Sequence, residues 1–225
     1  MFLTKADVSV VVTAHNETNF EVNRAISSVV LNGISEAKIF LVVDGKKKFQ
    51  LKNRGVKKAV NRAGGVSESR NIGLDAVQTQ LIAFLDADDE WLENKISSQL
   101  AVLNSSAGIK LVTCGFFENY SFVCLRRLMR KTDNKYTNFI PLSGALFFKP
   151  SFRFRDVVNE DHDFFLNFDV NEIFVLSGYL FVKNQISGSR GGNRLGSVMY
   201  SSSNSVPRAL TIVGRKLTTI TGAEI

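Results

Sequence analysis

The sequence has 225 residues, 44% of them hydrophobic, with 28 lysines and arginines against 21 acids and a net charge of +7. That length supports a buried core, and the abundance of Leu, Ile, Val and Phe excludes a disordered chain. The longest apolar stretches, residues 8–12 and 39–43, fall far short of the roughly 20 residues of a membrane-spanning helix.

Residues 8–13 predict a first strand, an apolar and β-branched run interrupted only by Ser9. A helix is expected over 17–31, where Val22, Ile26, Val29 and Val30 share a face and Gly33 offers a stop. A second strand fits 38–43. The Gly64-Gly65 turn then leads into a helix over 67–77, with Ile72 and Ala76 on one side, and 81–85 reads as a third strand. A helix over 91–103 carries Ile96, Leu100 and Leu103 as its stripe, and 111–117 reads as a fourth strand. Near-continuous apolarity at this length marks buried parallel strands. The alternation predicts an α/β fold, a doubly wound and mostly parallel central sheet flanked by helices. Further on, the pattern gives a strand at 144–148, a short helix at 160–168 and a strand at 173–182. Residues 187–205 hold seven Ser and four Gly and predict a mobile loop. Residues 207–220 predict a helix, with Pro207 in its first turn and Leu210, Val213, Leu217 and Ile220 on one face.

Cys114 and Cys124 make neither a disulfide framework nor a CxxC motif, and the start of the chain lacks the layout of a secretory leader. The expectation is a cytoplasmic protein with two reduced thiols. A net charge of +7 suggests nucleic acid, an anionic membrane or a phosphorylated ligand, but the charge is segregated. Residues 46–62 hold eight basic residues and no acid, residues 183–216 hold six more and no acid, and the remainder is net −7. Acids gather at 86–93 and at 156–172.

In doubly wound sheets ligands bind beyond the carboxyl ends of the strands. Three polar clusters follow the first three strands: Thr13-Ala14-His15-Asn16-Glu17, Asp44-Gly45 and Asp86-Ala87-Asp88-Asp89. Three carboxylates at a strand end repel one another, and a hard divalent cation such as Mg²⁺ or Mn²⁺ resolves that conflict with carboxylate, water and phosphate oxygens. The competing reading is a strand-to-helix turn, with Asp89 or Glu90 serving the N-terminus of helix 91–103.

The stretch Gly65-Val66-Ser67-Glu68-Ser69-Arg70-Asn71-Ile72-Gly73, followed by Leu81-Ile82-Ala83-Phe84-Leu85-Asp86-Ala87-Asp88, resembles the nucleotide-sugar-binding half of family 2 glycosyltransferases of the GT-A fold. There a G-x-S-x-x-R-N-x-G pattern precedes a strand that ends in a DXD motif. Asn159-Glu160-Asp161-His162-Asp163-Phe164 is similar to that family's acidic ED motif. The resemblance spans roughly residues 7–180. It implies that Asp86 and Asp88 bind Mn²⁺ or Mg²⁺ and, with Ala87, the diphosphate of a UDP- or GDP-sugar. Arg70 would bridge phosphate or brace the DXD carboxylates. Asp44 would accept a hydrogen bond from the base, and Thr13, Ala14, Asn16 and Glu17 would hold base and ribose. Asp161, with Glu160 beside it, would deprotonate the acceptor hydroxyl for inverting transfer. The chain departs from the family where two Asp commonly precede the glycine: here Val43-Asp44-Gly45 runs into Lys46-Lys47-Lys48. His162 reads as a surface histidine paired with Asp, and His15 as a loop residue near the nucleotide rather than a metal ligand.

The resemblance implies a donor half over about 1–115, an acceptor half over about 116–185, and a basic loop and helix over 186–225. A glycan or lipid-linked acceptor is expected, at the inner face of an anionic membrane that the basic segments touch. Arg190 and Arg194 in the Ser/Gly loop are expected to close over the diphosphate. The alternatives are a basic nucleic-acid- or nucleotide-binding module and a DxD phosphatase. The first lacks aromatic interleaving beyond Phe49. The second wants Thr or Val where Glu90 stands, and its motif on the first strand. No P-loop and no G-x-G-x-x-G after the first strand is present.

Overall fold

The computed structural model describes residues 2–61, 64–118, 121–123, 140–184, 210–213 and 216–219. Its strands in chain order are β1 (Val8–Ala14), β2 (Ile39–Asp44), β3 (Lys57–Asn61), β4 (Leu81–Asp86), β5 (Glu90–Trp91), β6 (Leu111–Glu118), β7 (Ser121–Val123), β8 (Leu146–Phe148) and β9 (Ile173–Lys183). They form one sheet in the order β3-β2-β1-β4-β8-β6-β9-β5, with β7 paired to β6. The helices are α1 (Asn19–Leu31), α2 (Gly65–Ala76), α3 (Lys95–Ser105) and α4 (Glu160–Phe165).

The apolar runs follow from the sheet's two covered faces. On β1, Val8, Val10, Val12 and Ala14 enter one core, with Ile39, Leu41 and Val43 of β2 and Leu81, Ala83 and Leu85 of β4. The intervening Val11, Val42, Ile82 and Phe84 enter a second core on the other face. α1 and α3 cover the first face through Val22, Ile26, Val29, Ile96 and Leu100. α2 and α4 cover the second through Leu74, Phe164 and Phe165. α1 starts at a capping box between Thr18 and Glu21. It stops at Gly33, which takes φ +82° and donates its N–H to the Val30 carbonyl at 2.8 Å.

Four expectations are corrected. The strand at 111–117 was expected to be parallel; β6 runs parallel to β9 but antiparallel to β8, so the sheet is mixed beyond β4. The helix expected over 91–103 begins only at Lys95, because Glu90 and Trp91 pair with Val182 and Phe181 of β9 and Asn94 turns the chain at φ 64°. Residues 57–61, read only as part of a basic segment, form the edge strand β3, where lysines suit an unpaired edge. The helix expected over 207–220 is replaced by strands β10 (Leu210–Val213) and β11 (Lys216–Thr219), an antiparallel pair. Thr211, Ile212, Val213, Thr218 and Thr219 are β-branched, and that local preference outweighs the helical stripe. The Ser/Gly loop 187–205 with Arg190 and Arg194, and Cys124, lie outside the described residues.

Candidate active site

The parallel register β2-β1-β4 brings the three polar strand ends side by side: Ala14 lies opposite Val43, and Thr13 opposite Asp86. The buried Thr13 hydroxyl donates to Asp86 Oδ1 at 2.9 Å, and the Ala87 N–H donates to the Thr13 carbonyl at 2.9 Å. Asp44 sits one strand over. His15 Nδ1 lies 2.9 Å from its carbonyl oxygen, and Asp44 Oδ1 is buried without a hydrogen-bond partner. Asn16 is exposed and Glu17 half-buried in the β1–α1 loop. Lys47 ties that loop to the β2 side by donating to the Asn16 and Glu17 carbonyls. One lysine of the departing Lys46-Lys47-Lys48 run is thus built into the rim.

The DXD turn is held from below. Arg24 of α1 donates to the Asp88 carbonyl at 2.6 Å and pairs with Glu90 at 3.5 Å; Asn184 Nδ2 donates to the same carbonyl at 2.8 Å. Asp89 is 3% exposed and accepts the Asn184 N–H at 3.1 Å. Ser143 Oγ accepts the Asp86 N–H at 3.2 Å, and the Trp91 indole donates to the Ser143 carbonyl at 2.8 Å. Asp89 and Glu90 therefore do not cap a helix, which removes the competing reading of the acids. Burial, then the neighbouring Asp86 charge, pushes the Asp88 carboxyl up to about 7. Burial with Asp86 and Asp88 pushes Asp89 well above the ordinary carboxylate range. Among the described residues no group of three or more His, Cys, Asp or Glu side chains forms a metal cage. The turn instead carries two carboxyl groups, Asp88 and Asp89, whose charged forms are disfavoured by burial and by their acidic neighbours.

The G-x-S-x-x-R-N-x-G residues join this turn to α4. Arg70, its side chain only 6% exposed, lies 3.4 Å from Asp86 Oδ1 and makes a short charged hydrogen bond to Glu160 Oε1. Burial opposes its charge, but Asp86, Glu160 and Asp161 together raise its pKa. The Asn71 amide bonds both ways to the Phe154 backbone, at 2.9 and 3.0 Å, and the Ser67 hydroxyl donates to the Arg155 carbonyl at 2.9 Å. At Gly73 an added Cβ would fall 2.4 Å from Val11 Cγ1, so α2 lies against β1 at a distance only glycine allows. Arg70 thus braces carboxylates, and its motif neighbours clamp the segment leading to α4.

α4 presents Glu160, Asp161, His162 and Asp163. Asp163 takes Arg155 Nε at 2.8 Å, and Asp161 Oδ1 accepts the His162 N–H at 2.8 Å. His162 is half-buried rather than on the surface. Phe164 stacks on Phe154 at 3.9 Å between ring centroids and lies in a cluster with Phe147, Phe152, Phe165 and Phe168. The expected site residues fall into two groups, Thr13 with Asp86, Ala87 and Asp88, and Glu160 with Asp161, which Arg70 connects. Asp44, Asn16 and Glu17 form the adjoining rim. Arg24, Ser143 and Asn184 escaped the sequence reading, since each acts through a long-range backbone contact that no local pattern announces.

Residues 9–160 match the family model of glycosyl transferase family 2. An uncharacterized glycosyltransferase of Rickettsia bellii (strain RML369-C) is 27% identical over 111 residues, 46% of this chain and 16% of the relative. The uncharacterized glycosyltransferase EpsJ of Bacillus subtilis (strain 168) is 25% identical over 122 residues, 51% of this chain and 35% of EpsJ. The chain therefore spans well under half the length of these relatives. Residues 1–349 of S. aureus TarS, solved in complex with UDP-GlcNAc, superpose with a TM-score of 0.62 at 12% identity, over 83% of this chain and 61% of that one. The shared architecture is the GT-A fold.

Proposed function

Because the chain belongs to glycosyl transferase family 2, we propose that it moves a sugar from a nucleotide diphosphate sugar to an acceptor hydroxyl, with a divalent cation and inversion at the anomeric carbon. The observation that carries this reading is Arg70, which links the strand-end acids to the α4 acids and so sets a donor-diphosphate site beside a candidate base. The donor is a UDP- or GDP-sugar, and residues 1–115 supply its site.

The buried, unsatisfied Asp44 Oδ1 favours a donor group from the base at this rim, since an orphaned acceptor costs free energy. Thr13, Ala14, Asn16 and Glu17 flank base and ribose. Asp86 and Asp88 would hold Mg²⁺ or Mn²⁺: burial first, and then the Asp86 charge, raises the Asp88 pKa, and a cation would favour the ionised form of both. When bound there, the cation supplies Lewis-acid stabilisation to the leaving phosphate oxygen. Asp161 takes the proton of the acceptor hydroxyl, while Glu160 stays engaged with Arg70. The acceptor is a glycan or lipid-linked sugar, held by residues 116–185 at the cytoplasmic face of a membrane.

Release of nucleoside diphosphate from a panel of UDP-, GDP- and dTDP-sugars, with Mn²⁺ or Mg²⁺, tests the reading. Asp161→Ala should keep donor binding and lose about 10²–10⁴ in turnover, whereas Asp88→Ala should lose metal-dependent donor binding. Full transfer by either variant, or inorganic phosphate in place of nucleoside diphosphate, would overturn it.

A further inference from the structure

The segment 46–58 carries a run of cations of which the candidate site uses one, Lys47. Lys46, Lys47, Lys48, Lys52, Arg54, Lys57 and Lys58 are all exposed, and none forms an ion pair with another described residue. Glu36, the acid in contact with this segment, spends its carboxylate on Asn53 Nδ2 and the Gly55 N–H, each at 2.8 Å. Protection of an edge strand accounts for Lys57 and Lys58, but Lys46, Lys48, Lys52 and Arg54 lie off the strand.

Exposed apolar side chains stand among these cations. Phe20 is 73% exposed and shares with Lys52, Gln50, Leu51 and Arg24 the lining of a cavity of about 710 Å³ between α1 and the segment 50–52. Val60 is 60% exposed and lies two residues from Lys58 on the same side of β3. Lys58 Nζ donates to the carbonyl of Phe49, which packs in the α1-side core, so Lys58 and Val60 share that side with Phe20. The surface is rigid: Asn23 Oδ1 accepts the Lys52 N–H at 2.8 Å, and Asn19 Oδ1 accepts the Gln50 N–H at 2.9 Å.

We infer that this face, Lys46, Lys48, Lys52, Arg54 and Lys58 with Phe20 and Val60, docks the protein peripherally on an anionic lipid bilayer; Lys57, over the Phe40 ring on the α2 side of the sheet, is not part of it. Unpaired cations supply attraction to acidic headgroups, and an aromatic ring beside them enters the interfacial layer. The open hollow beside Phe20 has Lys52 in its wall, while Arg24 there is already paired with Glu90. Nucleic acid fits less well, because single strands are held on a row of exposed aromatics and the segment's own Phe49 is buried. No helix among the described residues is long and apolar enough to cross a membrane, which suits a contact made at the surface. Lys47 joins the face to the donor rim, so docking would bring the proposed site to the bilayer. The inference thus extends the transferase reading by locating its acceptor.

Sedimentation of the full chain with phosphatidylcholine vesicles, with and without one quarter phosphatidylglycerol, tests it without donor or transfer, so a failure here leaves the transferase reading intact. Binding should require the anionic lipid and vanish at high salt. Lys52→Gln with Lys58→Gln should lower the bound-to-free ratio roughly 25-fold at low salt, about fivefold per cation, with melting unchanged. Phe20→Ser should weaken binding several-fold and leave its salt dependence in place. No bound fraction at low salt, equal binding to neutral vesicles, or unchanged binding by the lysine variant would overturn the inference. Retention of a 30-nucleotide RNA by protein that ignores the vesicles would overturn it in favour of a nucleic-acid surface.

Discussion

The two faces of the sheet are built from different chemistry. The α1/α3 face is mostly aliphatic, with Phe49, Trp91, Phe116 and Phe181 among its buried residues, and it holds polar groups: Asn32, Lys95 and Gln99 are buried, and Arg24 and Asn184 bond the Asp88 carbonyl of the DXD turn. The α2/α4 face is aromatic, with Phe84, Phe147, Phe154, Phe164, Phe165 and Phe168 packed in one cluster. The first face positions backbone atoms of a turn by directed hydrogen bonds. The second positions a six-residue helix, too short to stand alone, by apolar packing. The acids differ accordingly. In the turn Asp86 meets Arg70 but Asp88 and Asp89 lie buried beside it with raised pKa values, while Glu160 and Asp163 of α4 each meet an arginine. Under the proposed function, the first arrangement suits a turn that would accept a cation and the second a helix that would present Asp161 as the base.

Arg70 is the largest lever, since among the described residues it alone pairs with acids from both groups. Arg70→Ala should cost about 2–4 kcal/mol in urea unfolding, less than a fully buried pair because Asp86 is 38% exposed. Transfer should fall with it by at least about 100-fold, through misplacement of both groups. Arg70→Lys should recover much of the stability and little of the activity, because an ammonium cannot fork between two carboxylates. Equal activity in the lysine variant would show that the two groups need only a nearby positive charge.

Phe164→Ala breaks the aromatic face alone. It should cost about 3–5 kcal/mol, since the ring is fully buried and stacked on Phe154. Donor binding at the strand ends should survive at temperatures where the variant is folded, while transfer is lost; equal loss of both would show that the faces do not act separately. The sequence made the first face easier to read than the second. Continuous apolar strands, and acids directly after them, are local signals, and β1, β2, β4 and the DXD turn lie where those signals place them. The clamp formed by Ser67 and Asn71 joins residues more than 80 apart, and no local period reports it. β5 has two residues, and β3 is an edge strand whose lysines hide its pattern.

Lys95 gives the finer test of how the aliphatic face tolerates polarity. Its ammonium is wholly buried, donates to Gln99 Oε1 at 3.0 Å and lies 4.1 Å from the Trp91 ring centroid. Burial pulls its pKa from 10.5 down to about 8, which corresponds to about 3 kcal/mol of cost when the group is charged. Above about pH 8 the native state gives up a proton that the unfolded chain keeps to 10.5, so this site's contribution to stability rises with pH from there. Cys114, pushed by burial from 9 up to about 11, acts in the opposite sense: the unfolded chain loses that proton first, and stability falls. The rise should therefore show between about pH 7.5 and 9 and flatten beyond. Lys95→Met should be more stable than the parent by about 1–3 kcal/mol at pH 7, with the rise gone. A variant less stable by the same amount at pH 7 and pH 9 would mean that the contacts with Trp91 and Gln99 outweigh the burial of the charge. The lysine would then be a structural fastening of β5, and through β5 of the DXD turn.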